Sequence, residues 1–318
     1  MGFEKDYTKE YEYLINEYEK LGGQKKELLS KEYGSIVINS NKVLAVNQVE
    51  GIEVITKPIE DGVDVTMLVK KGTKVKNPVH LCFGMVPKEG TQRIISHYTI
   101  EEDAKVSFVS HCIFPNAVKI NHIMDAEIEI KANAEMSYHE EHFHGKTGGV
   151  NVYPHSRVHQ GPGSKFLNTF KMIKGRAGMI DINYVVDLDE QAVCEMEIKA
   201  FGKADDKIKT VEKANLNGAE SRALLKSRVV LKDQSSGEIY NETNSYGDRS
   251  RAHIDCIEIV ENEATANAVP VVNVLNPTAK VTHEAAIGSI DKVKIETLMA
   301  RGLTETEAID TIVKAFLK

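Results

Sequence analysis

The sequence predicts a mainly β protein whose short strands stack as a solenoid, with helical segments at both ends. Strand-like alternation of apolar and polar residues begins at Ser35 and continues to about Gly288, and helical periodicity is nearly absent between them. A repeat of small residues, mostly 12 to 17 positions apart, runs through the same region. A fixed period of short strands without helices favours a solenoid. A β-sandwich is the alternative, but it would not require so regular a spacing.

The repeat predicts where the chain turns. In its strong members a small residue follows a turn-forming residue, as at Ala104, Ala134 and Ser164, which are 30 apart. Small residues fit where a chain turns sharply inward, so we expect one strand and one corner per unit and two strands per coil. Further strong members centre on Ala192, Ala264 and Ala279, and weaker ones on Ala117, Ala177, Ala219, Ser236 and Ala252.

Helical periodicity marks the first segment of the chain. Apolar residues recur at three- and four-residue steps across residues 5–33, at Tyr11, Leu14, Ile15, Tyr18 and Leu21, and Gly22-Gly23 interrupts them. We therefore expect an N-terminal helical segment at 1–34, followed by a β core at 35–288.

Two helices are predicted at the other end, in residues 289–318. The first ends at Gly302, and the second begins with a capping box formed by Thr304 and Glu307. An apolar stripe follows, made of Ile309, Ile312, Val313, Phe316 and Leu317. Such a stripe packs on the end of the coil or docks to a partner protein.

Composition narrows the functional classes. The apolar fraction of 42% is sufficient for a real core, and the net charge of −7 without any basic block argues against a nucleic-acid binder. No apolar run approaches the roughly 18 residues that cross a membrane, and the charged N-terminus lacks a signal-peptide core. We expect a cytoplasmic protein without membrane or nucleic-acid partners.

The four cysteines are far apart, at Cys82, Cys112, Cys194 and Cys256. In a reducing compartment they are expected to be free thiols, either buried or bound to metal. Their spacing excludes a self-contained zinc ribbon or ferredoxin-type site. Any iron–sulfur site must be sparse, shared between subunits or partly non-cysteine. We interpret the first three as buried core residues.

The strongest candidate for chemistry is Cys256. Alternation in a strand would direct Asp255 to one face, and Cys256 and Glu258 to the other. His283 and Glu284 follow 27 and 28 positions later, so stacking of one coil on the next would bring them near Cys256. Thiolate, imidazole and carboxylate together can hold iron in an open, exchangeable site. A buried cysteine with a hydrogen-bonded histidine is the alternative.

A denser histidine cluster occurs at His139, His142 and His144. It is not a metalloprotease motif, because the imidazoles of that motif are four residues apart on a helix, whereas His139 and His142 are three apart. In a strand, His142 and His144 share one face with Glu140 and could bind a divalent metal. We favour a polar ladder on a face of the solenoid.

The remaining candidates are weaker. His155 and His159 are assigned to the same surface as that ladder, and His111 beside Cys112 is a further possible ligand pair. No phosphate-binding loop, dinucleotide fingerprint or Ser-His-Asp arrangement is recognisable, so the chain is not itself an obvious nucleotide hydrolase.

The sequence of the last third of the chain resembles the SufB/SufD family of iron–sulfur cluster assembly scaffolds. The likeness runs from Gln92 to Lys318, is strongest from Arg251 onward, and is most specific in residues 283–291 and 298–308. It implies a right-handed parallel β-helix, a homodimer formed through the last coils, and C-terminal helices that bind a SufC-like ABC ATPase. It also implies a scaffold rather than an enzyme, carrying a transient [4Fe-4S] cluster to apo recipient proteins. Whether a flavin takes part stays open.

One functional residue of the family has no counterpart in this chain. A cysteine of bacterial SufB on the coil before the His-Glu pair matches Val274 here, so that ligand is missing, as it is in SufD. The His-Glu pair matches His283 and Glu284, while Cys256 lies near another bacterial cysteine. The short N-terminal region is similar to an archaeal, minimal system, in which two copies of Cys256, helped by Asp255 or Glu284, would meet near a two-fold axis.

These observations lead to one set of predictions. The expected iron or cluster ligands are Cys256, His283 and Glu284, with Asp255 as a weaker one. The expected ATPase-binding residues are Leu298, Met299, Arg301, Gly302, Ile309, Ile312 and Phe316. One alternative is a SufD-like structural subunit without its own cluster. A carbohydrate-active solenoid enzyme is another, which the absence of tryptophan disfavours.

Overall fold

Two long β-sheets face each other along the chain. The computed structural model describes residues 8–20 and 23–318, so residues 1–7, Leu21 and Gly22 of the predicted N-terminal helical segment lie outside the described residues. Consecutive strands alternate between the sheets over most of the chain, so that one described sheet has ten strands and the other nine. We call the space between the sheets the lumen.

The element bounds follow the predicted order of helix, strands and helix. The helices are α1 (Thr8–Lys20), α2 (Lys25–Leu29), α3 (Lys292–Met299) and α4 (Glu305–Phe316). The strands are β1 (Ser35–Asn39), β2 (Lys42–Asn47), β3 (Ile52–Ile59), β4 (Gly62–Val69), β5 (Val79–Gly84), β6 (Glu89–Ile100), β7 (Lys105–Phe114), β8 (Lys119–Ile130), β9 (Glu135–His144), β10 (Val150–Gln160), β11 (Lys165–Lys174), β12 (Met179–Leu188), β13 (Val193–Gly202), β14 (Lys207–Leu216), β15 (Arg222–Leu231), β16 (Ser236–Ser245), β17 (Arg251–Val260), β18 (Thr265–Val274) and β19 (Lys280–Gly288).

Strand pairing confirms the parallel solenoid. From β4 and β5 onward each strand pairs in parallel with the strand two places along the chain, for example β15 with β17, where Ala223 lies opposite Ala252. The coils stack for about eight turns. At the N-terminal end the pattern changes, because β1 pairs with β2 and β3 pairs with β4 in antiparallel fashion.

The corners share a backbone conformation, in which one residue has a left-handed φ angle. Asp103 and Asn133 adopt left-handed φ angles of 58° and 57°, and each is followed by a fully buried alanine, Ala104 or Ala134. Aspartate and asparagine tolerate this conformation better than most residues, because their short polar side chains bond locally. The small residue then fits beneath the adjoining coil, as the sequence repeat predicted.

Two of the weaker repeat members do not mark corners. Ser236 is the first residue of β16 and Ala252 the second of β17. The buried small residues at those corners are Ser235 and Ser250. Serine is also small enough for these positions. Because the repeat was identified mainly from alanine, it predicted these two corners one and two positions too far along the chain.

Helices cover the outer face of the ten-stranded sheet. Leu14, Ile15 and Tyr18 of α1 pack on an outward apolar cluster that includes Cys82 and Phe143. Cys82 is therefore buried beneath a helix and does not face the lumen. Near the other end, α4 packs its predicted stripe on the outward side chains of β11, β13, β15 and β17, which are Ile173, Phe201, Val230 and Ile259.

The C-terminal end of the solenoid differs from the rest of the body. Helix α4 packs on the side of the sheet. The last strand β19 is largely exposed, and every residue of β18 is exposed or half-buried. Val274 and Ile287 expose 48% and 47% of their surface there. Within residues 8–20 and 23–318, no helix is both long enough and apolar enough to cross a membrane.

Candidate functional site

Cys256 points into the lumen from β17, one coil from the open end. It is 1% exposed, and Ile254 and Glu258 share its inward face. Asp255 points outward, where its carboxylate accepts a hydrogen bond of 2.5 Å from the Arg228 guanidinium. The strand alternation predicted for this segment is thus observed, and it separates Cys256 from Asp255.

The Cys256 thiol begins a hydrogen-bonded chain across the lumen. Its Sγ donates to Oδ1 of Asn241 at 3.1 Å, and Nδ2 of Asn241 donates to Oε2 of Glu212 at 2.7 Å. Burial raises the pKa of Cys256 to about 12 and that of Glu212 to about 8. The thiol is therefore protonated at neutral pH, and a metal must displace its proton to bind.

Glu258 adds a second carboxylate to this end of the lumen. Its side chain is 1% exposed, and neither carboxylate oxygen has a hydrogen-bond partner among the described residues. Burial raises the pKa of Glu258 to about 7, although the Arg228 charge acts in the opposite direction. A buried carboxylate without a partner is costly to leave unsatisfied and is available to a cation.

Neither Asn241 nor Glu212 was predicted from the sequence as a member of this group. Asn241 precedes Cys256 by 15 residues and follows Glu212 by 29. These separations are half a coil and a full coil, so counting back from Cys256 by the corner period would have found both.

The two residues predicted from the following coil lie on opposite faces of β19. His283 is in register with Ile254, Glu284 with Asp255, and Ala285 with Cys256. Alternation therefore places His283 on the face of Cys256, and Glu284 on the outer face with Asp255. Both His283 and Glu284 are exposed, because β19 is the edge strand of its sheet and no further coil of residues 8–20 and 23–318 lies over it. Their role as iron ligands stays a prediction.

The predicted partner-binding residues divide into two groups. Ile309, Ile312 and Phe316 are half-buried against the side of the solenoid. Met299 is 43% exposed, and Arg301 and Gly302 are also exposed at the connection between α3 and α4. The second group, with the half-buried Leu298, forms the more accessible surface.

A second cluster lies deeper in the lumen. Cys112 of β7 and Glu140 and His142 of β9 are all buried, and their possible ligand atoms lie within 4.8 Å of one another. Glu140, His142 and His144 share one face of the strand as predicted, but that face is the lumen, so the predicted surface ladder is wrong. Burial lowers the pKa of His144 to about 3.

The other histidine candidates do not join this cluster. His155 and His159 lie on the outside of β10 with side chains 43% and 46% exposed. His111 faces outward, where its Nε2 is 2.9 Å from the hydroxyl of Tyr18 in α1. Neighbouring positions in a strand face opposite ways, and so His111 and Cys112 do not form one site.

Fold and site together define a parallel β-solenoid whose interior carries thiols, amides and carboxylates and whose C-terminal end is open. Residues 89–316 match the family described as SUF system FeS cluster assembly, SufBD core domain. The chain therefore belongs to the SufBD family of iron–sulfur cluster assembly proteins.

Two archaeal relatives resemble the chain over most of its length, and a third relative, from Synechocystis, resembles about two thirds of it. It is 34% identical over 312 residues to an iron–sulfur cluster assembly SufBD family protein of Pyrococcus horikoshii, covering 98% of this chain and 95% of the relative. A family member from Methanocaldococcus jannaschii is 36% identical over 282 residues, which is 89% of each chain. One from Synechocystis is 26% identical over 230 residues, 69% of this chain and 47% of the relative.

Proposed function

We propose that this protein is a homodimeric scaffold on which a nascent iron–sulfur cluster is built and then passed to apo recipient proteins. The cluster is the cargo of this process. The observation that carries the proposal is the buried thiol of Cys256, one strand from the open end. It lies next to the Glu258 carboxylate, which has no hydrogen-bond partner within the described part of the chain. Thiolate supplies the soft ligand, and carboxylate or imidazole supplies weaker bonds that permit release.

Dimerisation completes the site in this proposal. Two exposed edge strands with apolar side chains are a ready surface for pairing with a second copy. A two-fold axis near β18 and β19 would bring together both copies of Cys256, His283 and Glu284. A cluster of the [4Fe-4S] type would then draw ligands from both chains, which agrees with the few cysteines in each.

An ABC-type ATPase of the SufC class is the proposed second partner. Helix α3 follows β19 after three residues, and the buried Ile290 between them donates its backbone N–H to Oε1 of Glu261 at 2.9 Å. A partner that moves the exposed α3–α4 connection would therefore act on β19. Since Ala285 of β19 lies opposite Cys256, displacement of this strand would open a path to the thiol.

The test is anaerobic reconstitution with iron and sulfide in the presence of the candidate ATPase. We expect a brown complex with about one cluster per dimer, lost in Cys256→Ser and retained in the buried control Cys194→Ser. A colourless wild type that still binds the ATPase would contradict the scaffold. It would support the second candidate, a SufD-like subunit without a cluster, which valine in place of cysteine at Val274 favours.

A further inference from the structure

We propose that the middle of the lumen holds a binding site for one divalent transition-metal ion of borderline softness, such as Zn²⁺ or Fe²⁺, formed by Cys112, Glu140 and His142. Across the part of the chain that the structure describes, no other three His, Cys, Asp or Glu side chains place ligand atoms within 4.8 Å of one another. The site is separate from the end at Cys256 and does not depend on the proposed function.

Strand register fixes the three ligands. Cys112 of β7 lies directly opposite His142 of β9, and Glu140 precedes His142 by two residues on the same inward face. All three lie in strands that pair with each other in continuous register, although the pairing of β9 with β11 is irregular beside His142. Strands hold side chains more rigidly than loops do. Ligand bonds of about 2.0 to 2.3 Å to nitrogen, oxygen and sulfur require only small side-chain rotations from this arrangement.

The hydrogen bonds around His142 leave the lone pair of its Nε2 atom directed at the Glu140 carboxylate. The Arg176 carbonyl can only accept, so Nδ1 of His144, 3.0 Å away, carries the proton of that contact. Nε2 of the neutral His144 ring must then accept from Nδ1 of His142 at 3.3 Å. The lone pair of a neutral His142 is thus on Nε2, which lies 2.5 Å from Oε1 of Glu140. At that distance a proton lies between the two atoms, and a metal ion that replaces it requires the two side chains to rotate apart.

This arrangement is the one that metal-binding histidines use. Their second ring nitrogen donates to a neighbouring acceptor, which fixes the tautomer and orients the ring. Here His144 and the Arg176 carbonyl supply that support. His144 is therefore a positioning residue for His142.

An unsatisfied histidine and a small cavity adjoin the cluster. His122 on the facing strand β8 is 0% exposed, and neither of its ring nitrogens has a hydrogen-bond partner among the described residues. Its ring centroid is 5.9 Å from that of His142, so it is the candidate fourth ligand. A cavity of about 30 Å³ bordered by Glu140 and Met124 has room for one water molecule as an alternative fourth ligand.

The donor set determines the class of ion. A thiolate with imidazole and carboxylate suits Zn²⁺, Fe²⁺ and Co²⁺, whereas Mg²⁺ and Ca²⁺ prefer oxygen ligands alone. Binding displaces the thiol proton of Cys112 and the proton shared by His142 and Glu140, and both are released to solvent.

Cobalt(II) tests the assignment. Added without oxygen to the chelator-treated 318-residue chain, it should produce a sulfur-to-cobalt charge-transfer band that saturates at one equivalent. Zn²⁺ should remove the band and Mg²⁺ should not. We expect Cys112→Ser to abolish the band. The controls Cys194→Ser and Cys256→Ser, which alter other buried thiols of the lumen, should retain it. No band in folded wild type, or a band that follows Cys256, would overturn the proposal.

X-ray absorption of the zinc-loaded wild type gives a result that needs no variant. One sulfur at about 2.3 Å with nitrogen and oxygen at about 2.0 Å is expected, and a first shell without sulfur would refute the site.

The positioning role of His144 has its own test. His144→Leu should keep the cobalt band but weaken cobalt affinity by about 10- to 100-fold, and His144→Gln should restore that affinity. Equal affinity in His144→Leu and wild type would remove His144 from the assignment.

Discussion

At the scale of single residues, the inward polar side chains distinguish this solenoid from one with a purely apolar interior. Glu212 is fully buried and held by hydrogen bonds from Asn241 at 2.7 Å and Ser227 at 3.5 Å. Neither partner carries a charge, so burial dominates and favours the protonated acid. The lumen at this end therefore couples protonation to stability.

Replacing Glu212 by glutamine should remove part of the pH dependence of stability. Burial raises its pKa from 4.5 to about 8, so the folded state binds the proton more tightly between these values. The contribution of Glu212 is fully present below about pH 4.5 and is lost as pH rises through about 8, by up to a few kcal/mol. Urea unfolding at pH 5 and pH 8.5 should show a smaller loss for Glu212→Gln than for wild type.

An exposed glutamate of the neighbouring strand provides the control. Glu238 of β16 is exposed, so Glu238→Gln should leave the difference between the two pH values unchanged. Glu258 remains in every variant and titrates in the same range, with its pKa raised to about 7. An equal loss of stability in Glu212→Gln and wild type would contradict the assignment.

At the scale of elements, helix α4 is an amphipathic segment with one buried side and one exposed side. Its buried side, with Ala308 and Val313, packs on the solenoid, and its opposite side faces solvent. The helix begins with a complete capping box, in which the Glu307 carboxylate accepts from the Thr304 backbone N–H at 2.8 Å and the Thr304 hydroxyl accepts from the Glu307 N–H at 3.3 Å. The sequence alone identified this start.

Loss of the cap should loosen α4 without unfolding the solenoid. Thr304→Ala removes the hydroxyl acceptor and should destabilise the helix by about 1 kcal/mol. Amide hydrogen exchange should then be faster by about fivefold in α4 and unchanged in β5 to β17. The control is Thr311→Ala, which removes a hydroxyl inside the helix that donates to the Glu307 carbonyl. Protection of the α4 amides from exchange should be kept or increased in this variant, because alanine is the better helix former. Unchanged exchange in Thr304→Ala would contradict this role.

At the scale of the whole molecule, the two ends of the solenoid are finished differently. Antiparallel pairing of β1 with β2 and β3 with β4 interrupts the parallel stack at the N-terminal end. At the C-terminal end, β18 and β19 keep the parallel register of the coils beneath them and leave apolar side chains exposed. A stack that continues unaltered to its last strand favours addition of a second copy.

A charge at this end should therefore separate the proposed homodimer. Ile287 of β19 is 47% exposed, and Ile287→Asp would bury an unpaired carboxylate in the interface at a cost above about 2 kcal/mol. Light scattering after size-exclusion chromatography should report a dimer for wild type and a monomer for the variant. Ile55→Asp, on the 67% exposed Ile55 of β3 at the other end, should stay dimeric. A wild type that is monomeric over the same concentration range would refute the homodimer.

Local patterns in the sequence determined the strands, most of the corners and which side chains of a strand share a face. Alternation correctly directed Cys256 and Glu258 to one face and Asp255 to the other, and the capping box correctly began α4. Strand period and corner chemistry depend on neighbours within a few residues, so a linear sequence contains them.

Only the tertiary structure decided which face became the interior and which residues meet across it. His142 and His144 were predicted on a solenoid surface but lie in the lumen, and Asn241 meets Cys256 from the facing sheet. Such contacts depend on how the coil closes and on what covers each sheet from outside, which period and alternation leave undefined. The interior metal cluster and the open end at β19 both follow from that closure.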